Sequence, residues 1–182
     1  MARRKANAYQ KWLETEFGSL IDQLELQPLQ KRYLTSRWLD QLTWLEKKAG
    51  NARTWYYRLR LITIVGAVIV PALVVLGDSA TYATAVLSIV VAASAAIEQF
   101  FRFGDRWHHY RATSERMKAE GWLFAELTGA YSANGASHQA AFPAFANRIE
   151  ELIKSDVEVY LTKVAVEKSK TQAEPLPDED TG

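Results

Sequence analysis

Between Leu61 and Ile97 the chain reads LITIVGAVIVPALVVL, then the turn Gly77-Asp78-Ser79, then ATYATAVLSIVVAASAAI, and Asp78 is the only side chain in it charged at neutral pH. Each arm has roughly 17 to 19 residues, which as α-helix spans about 26 to 29 Å, the thickness of a bilayer's hydrocarbon core. The alternative for such a stretch is an antiparallel helix pair buried in a soluble core. A core helix in a chain of this length keeps a polar stripe toward water, whereas the first arm has none and the second has only hydroxyls and small residues. The pattern therefore predicts a transmembrane helical hairpin.

The flanks give that hairpin a direction. Lys47, Lys48, Arg53, Arg58 and Arg60 precede the first arm; Arg102, Arg106, Arg111, Arg116 and Lys118 follow the second; the turn between the arms has no basic residue. The excess of positive charge on cytoplasmic flanks places both termini in the cytoplasm. Trp55, Tyr56 and Tyr57 on one side and Phe100, Phe101, Phe103 and Trp107 on the other fall at that same interface, where amphipathic rings concentrate. The start Met-Ala-Arg-Arg-Lys is followed by no apolar run of signal-peptide type, so the first arm is expected to direct insertion itself.

Outside the hairpin the periodicity is helical. Tyr9, Leu13, Phe17, Leu20 and Leu24 recur at three and four residues, as do Leu34, Trp38, Leu42 and Leu45, with Leu39 and Trp44 beside them. Pro28 ends the first helix or starts the next, and Gly50-Asn51 reads as a stop or hinge. After Gln99 no strong breaker except Gly104 and Gly121 interrupts the chain, so the second arm is expected to continue into the cytoplasm. That continuation has charge pairs one turn apart, Arg111 with Glu115 and Arg116 with Glu120. Asn134-Gly135 marks a loop, and a last helix from Phe142 to about Lys168 has Phe145, Ile149, Leu152, Ile153, Val157, Tyr160 and Leu161 on its apolar side. The expected organisation is cytoplasmic helices over 1–58, a hairpin over 59–98 with arms 59–77 and 79–98, cytoplasmic helices over 99–170, and a disordered acidic tail over 171–182. The fold class is an all-α membrane protein: a two-helix hairpin with a helical cytoplasmic bundle from both termini, homo-oligomeric.

Composition limits the chemistry. There is no cysteine, which excludes disulfides and thiolate metal sites. Net charge is +1, yet residues 1 to 60 hold 12 basic against 6 acidic side chains, an excess that suits anionic lipid better than nucleic acid. His108 and His109 are adjacent and point about 100 degrees apart on a helix, with no third ligand at spacing for a metal. No phosphate-binding glycine loop, nucleophile elbow or HExxH occurs. No catalytic residue, metal or cofactor is expected, and the chain does not read as an enzyme.

The second arm has a polar side. Thr81, Thr84, Ser88, Ala92 and Ala95 recur at three and four residues, and the line continues to Glu98 and Arg102. One reading is tight helix packing, with hydroxyls bonded back to their own helix. The other is a pore-lining face, which requires a homo-oligomer of four to six chains, since two arms enclose nothing. In it Asp78 rings the outer mouth and Glu98 the inner end, favouring cations, while a ring of Arg102 opposes them. Pro71 removes a backbone donor in the first arm and predicts a kink near Ala67, which is either an ordinary membrane-helix bend or a gating element.

The runs NARTWYYRLRLITIVGAVIVPAL and RFGDRWHHYRATSERMKAE, the second with the pattern W..YR..(S/T)E..K.E, resemble the SLATT domains, bacterial two-transmembrane proteins associated with SMODS and SLOG partners; YLTSRWLDQLTWLEKKA resembles the helix they carry before the hairpin. The resemblance covers residues 30 to 165. It implies a pore-forming effector in the bacterial cell membrane, working beside a nucleotide-signalling or sensor protein in a signalling or defence system. The matching positions are Tyr57, Arg58, Arg60, Pro71, Trp107, Tyr110, Arg111, Glu115, Lys118 and Glu120; the family's closing acidic and tryptophan pair stands here as Asp156 and Tyr160. Arg111 and Glu115 could pair with facing helices and, with Trp107 and Pro71, couple the cytoplasmic helices to the hairpin. The expected partners are further copies of the chain, the lipid bilayer, permeant ions and such a sensor protein, with no nucleic acid. The second reading is a non-conducting anchor that holds a cytoplasmic bundle for a soluble partner.

Overall fold

The computed structural model describes the backbone of residues 2–133 and 137–172 and the side chains of 8–133 and 137–156. All regular structure among the described residues is helical: α1 (Ala2–Gln23), α2 (Pro28–Tyr33), a π-helical segment (Leu34–Leu39), α3 (Asp40–Val75), α4 (Thr81–Phe101), α5 (Phe103–Ala125) and α6 (His138–Gln172). The chain divides into two compact units, Met1–Lys118 and Ala119–Gly182.

In the first unit α1 buries Leu13, Phe17, Ile21 and Leu24. Tyr9, expected on that face, is 40% exposed, and Ile21 occupies the buried position one turn above Phe17. Lys31 Nζ donates to the Asp22 carbonyl at 2.7 Å, satisfying an acceptor that the end of α1 leaves open. Pro28 opens α2, where its missing N–H costs nothing, and Gln30 Oε1 accepts the Gln27 N–H at 3.0 Å.

From Pro28 the helix winds on without a stop to Val75, the tighter and wider turns following one another directly. The π-helical segment adds a residue to the turn, so that Leu34, Trp38 and Leu39 are all buried. Trp38 packs edge-on against Phe17, with centroids 5.2 Å apart, and its indole N–H donates to the Met117 carbonyl at 3.2 Å. Gly50-Asn51 is neither stop nor hinge: α3 passes through both residues, and Ala49 and Ala52 beside them are buried. Pro71 also lies inside α3. At 36 residues, α3 is about 54 Å long.

Its two halves differ. Leu42, Leu45, Glu46, Ala49 and Ala52 are buried in the first, whereas beyond residue 58 only Leu59 and Gly66 are. Gly77, with φ 66, opens a 3-10 turn (Gly77–Ala80) that reverses the chain into α4, which packs along α3. Two helical runs, Pro28–Val75 and Gly77–Tyr131, each contain an apolar window long enough to cross a membrane. Most of that apolar surface is exposed, as at Val68 (72%), Val75 (85%) and Tyr82 (89%).

The expected continuous helix out of the second arm is interrupted. Arg102 takes the left-handed conformation (φ 48, ψ 50) and separates α4 from α5. Gly104 and Gly121, the residues read as breakers, lie inside α5.

In the second unit Phe124, Tyr131, Phe145 and Ile149 form the core, with Phe124 stacked on Phe145 at 4.4 Å. The α6 helix starts at His138, four residues before the expected Phe142, and the Ser137 hydroxyl caps it by accepting the Ala140 N–H at 3.2 Å. Leu152 and Ile153 are half-buried; the turn at Asn134-Gly135, the side chains of Val157, Tyr160 and Leu161, and the tail beyond Gln172 lie outside the described residues.

Candidate functional site

The site is built where the first half of α3 meets α5, on a charged residue in an apolar stripe. Glu46 lies among Leu42, Leu45, Ala49 and Ala52 and is 8% exposed. A carboxylate so placed must be matched, because an unpaired buried charge costs several kcal/mol. Three groups from α5 match it. Lys118 Nζ lies 2.5 Å from Oε1, Arg111 Nη1 lies 3.1 Å from Oε2, and the Ser114 hydroxyl donates to Oε1 at 3.0 Å. Ser114 is itself fully buried. Glu115 closes the cluster, bonded to Arg111 Nη2 at 2.5 Å and to Lys118 Nζ at 3.1 Å.

Two carboxylates thus face two cations. Lys118 also donates to the Tyr9 hydroxyl at 3.3 Å, which brings α1 into the cluster. Burial pulls the Lys118 ammonium toward neutrality, but the hydrogen bond and charge of Glu46, with Glu115 and Tyr9, outweigh it and hold the pKa above the usual lysine range.

An aromatic layer follows from this cluster toward the hairpin. Tyr110 meets Trp44 edge-on at 5.9 Å, Trp107 lies 5.6 Å from Tyr57 and 6.2 Å from Tyr56, and Trp55 stacks on Phe103 at 6.2 Å. Gly104 is pressed against the Tyr56 ring, where a Cβ would stand 3.0 Å from it. Beyond the layer the arms come together at Gly66, where a Cβ would overlap the Val91 methyl.

The polar line of the second arm divides in two. Ala80 and Ser94 are buried and Thr84, Leu87, Val91 and Glu98 half-buried, recurring at four and three residues; Val91 and Leu87 approach Gly66, so this stripe is the seam with α3. A second stripe, rotated by about 100 degrees, contains Thr81, Ala92, Ala95 and Arg102, all exposed, and Ser88, half-buried. Glu98 therefore lies with the seam, and Thr84 and Ser88, one turn apart and both half-buried, stand at the boundary between the two stripes. The hydroxyls of Thr84 and Ser88 donate to the carbonyls of Ala80 and Thr84 at 2.9 and 2.8 Å. Asp78 is exposed on the turn, and Pro71 is exposed on α3.

Of the residues read as coupling the two parts, the structure brings Arg111 and Glu115 to Glu46, with Trp107 one turn nearer the hairpin. Glu46 itself was missed. The sign of it was a lone acid inside the stripe Trp38, Leu42, Leu45, Ala49. Arg116 was paired on sequence with Glu120; instead Glu120 Oε1 accepts from the Tyr131 hydroxyl at 2.5 Å and from Arg148 Nε at 2.7 Å, within the second unit. Burial pushes the Tyr131 phenol well up, and the hydrogen bond and charge of Glu120 add to this against Arg148. Asp156 is half-buried, and the side chain of Tyr160 lies outside the described residues.

These features define an all-helical protein with a long apolar hairpin whose base is tied by a charge-balanced cluster. The DUF4231 family, described as a protein of unknown function, matches residues 40–139, from the start of α3 through the cluster, both arms and α5. The chain belongs to that family. No curated protein and no solved structure matches it.

Proposed function

We propose that the protein is a membrane pore: the hairpin of α3 and α4 crosses the bilayer of the bacterial cell membrane with both termini in the cytoplasm, and four to six chains assemble so that α4 lines a conduit. The observation that carries this reading is the stripe of α4 beside the seam, where Thr81, Ala92 and Ala95 are exposed and Ser88 is half-buried between them, while α3 covers the neighbouring stripe. The exposed apolar surface of both arms calls for lipid or further copies of the chain. Asp78 stands at the outer mouth, and Arg102 closes the inner end of the stripe. The Glu46, Arg111, Glu115 and Lys118 cluster holds the cytoplasmic helices to the base of both arms, where a signal from a soluble partner would enter. The resemblance to SLATT domains extends this to an effector of a bacterial signalling or defence system gated by a nucleotide-signalling or sensor protein.

The second reading is a non-conducting anchor. The bonds of Thr84 and Ser88 to their own helix favour it, because they satisfy both hydroxyls without water. Single-channel recording on purified full chain in planar bilayers separates the two. Discrete currents that change with Ser88→Lys, while the oligomer is retained, are the expected result. An assembled oligomer that passes no current with or without its partner sinks the pore.

A further inference from the structure

Four arginines gather at the base of the hairpin: Arg53, Arg58 and Arg60 on α3, and Arg106 on α5 just past the break at Arg102. All four are exposed. The antiparallel packing puts them at one level. Trp55 stacks on Phe103 and Gly66 abuts Val91, so eleven residues up one arm match twelve down the other. Residues 53 to 60 cover about 10 Å of axis, and the break at Arg102 faces that interval.

The charge there is lopsided. Between Lys47 and Gly77 the sequence has no acidic residue. On the other side Asp105 is held by Arg102 at 2.6 Å and Glu98 is turned into the seam. The collar borders the exposed apolar arms, at Leu61 on one helix and Phe101 on the other, and contains Trp55 and Tyr57, each about half exposed. Rings of that kind settle at headgroup depth, and guanidinium groups take phosphate oxygens in pairs.

We infer that this collar is a binding site for anionic phospholipid headgroups in the cytoplasmic leaflet. The inference rests on the membrane reading above and deepens it by naming the lipid. The continuity of the collar with apolar surface favours a lipid over a soluble polyanion, which would meet the apolar arms unfavourably. A zwitterionic headgroup brings its own cation to the same arginines, so net negative lipids are preferred.

The test reconstitutes the full chain into vesicles of phosphatidylcholine alone and of equimolar phosphatidylcholine and phosphatidylglycerol, then measures by mass spectrometry the lipid retained on detergent extraction. Retained phosphatidylglycerol is expected to exceed its share of the vesicle several-fold. Each arginine beside an anionic surface changes affinity by about five-fold, so the variant Arg58→Gln, Arg60→Gln, Arg106→Gln loses the enrichment while still floating with vesicles. The variant Lys11→Gln, Arg32→Gln, Arg116→Gln removes as much charge away from the collar and keeps it. Wild type that floats with both vesicles without enrichment overturns this inference alone, as does enrichment that survives the collar variant or vanishes equally in the control. Protein that floats with neither vesicle overturns the membrane reading and this inference together.

Discussion

Glu46 and Lys118 are 72 residues apart in sequence and 2.5 Å apart in the fold, the first on the long entry helix and the second on the exit helix. With Arg111 at 3.1 Å, their contact closes the loop of chain that contains the whole hairpin.

Removing the carboxylate leaves Lys118 and Arg111 without their buried partner, with only Glu115 shared between them. Glu46→Ala is expected to cost about 3 kcal/mol, the lower end for breaking a buried pair because Arg111 is half exposed. Glu46→Gln, which still accepts hydrogen bonds, costs less. Thermal unfolding in detergent reads both, and a midpoint unchanged by Glu46→Ala would contradict the cluster's structural role.

Alkaline pH attacks the same contact. The folded state holds the Lys118 proton more tightly than the unfolded chain does, so its contribution is complete below the ordinary lysine value of about 10.4 and is lost as pH rises through the raised folded value. Tyr131 acts in the same direction: its phenol ionises less readily in the fold, so stability falls above the ordinary tyrosine value of about 10. Denaturation midpoints are expected to drop there, with a shallower drop in Lys118→Met and in Tyr131→Phe.

The contact of Gly66 with Val91 makes a reciprocal pair. A methyl at Gly66 meets a branched side chain that is stiff at χ1, so Gly66→Ala is expected to destabilise the hairpin by about 1 to 3 kcal/mol. Val91→Ala removes the obstructing methyls, and the double variant recovers most of the loss. Additive losses in a double-mutant cycle would show that the arms do not meet there.

Arg102 holds a conformation that glycine adopts freely. Arg102→Gly relieves about 1 kcal/mol of backbone strain and gives up an exposed pair with Asp105, so stability is expected to hold or rise. Arg102→Val, β-branched at the same dihedrals, falls by about 1 to 2 kcal/mol. Equal effects of the two would argue that α4 and α5 run on as one helix.

The absence of cysteine makes labelling clean. In assembled protein, Ala92→Cys and Ala95→Cys are expected to react with a water-soluble thiol reagent, whereas Leu87→Cys on the seam and Val86→Cys on the outward face stay protected. Protection at all four positions favours the anchor.

Much of this was legible because it is local. A stretch from Leu61 to Leu76 whose one polar side chain is Thr63 admits a long helix and little else, and the spacing of Leu34, Trp38 and Leu42 marks a buried face wherever its partner lies. The pair of Arg111 with Glu115 follows from one helical turn. Gly50-Asn51, read as a stop or hinge, is a weak breaker that packing overrides, with Ala49 and Ala52 buried around it; Gly104 likewise stays inside α5, with the Tyr56 ring covering it.

The sequence alone determined the helical class, the length and apolarity of the two arms, and the concentration of arginine and aromatic rings at one end of them, since each is set by residue type and short-range period. Only the tertiary structure decided that Glu46 receives Lys118, Arg111 and Ser114, that Glu98 turns into the seam while Ala92 and Ala95 do not, and that the chain breaks at Arg102. Those outcomes depend on which faces meet and at what rotation. On a helix a shift of one residue turns a side chain by about 100 degrees, and the rotation is set by where Gly66 lets the arms approach and where a buried carboxylate finds its cations.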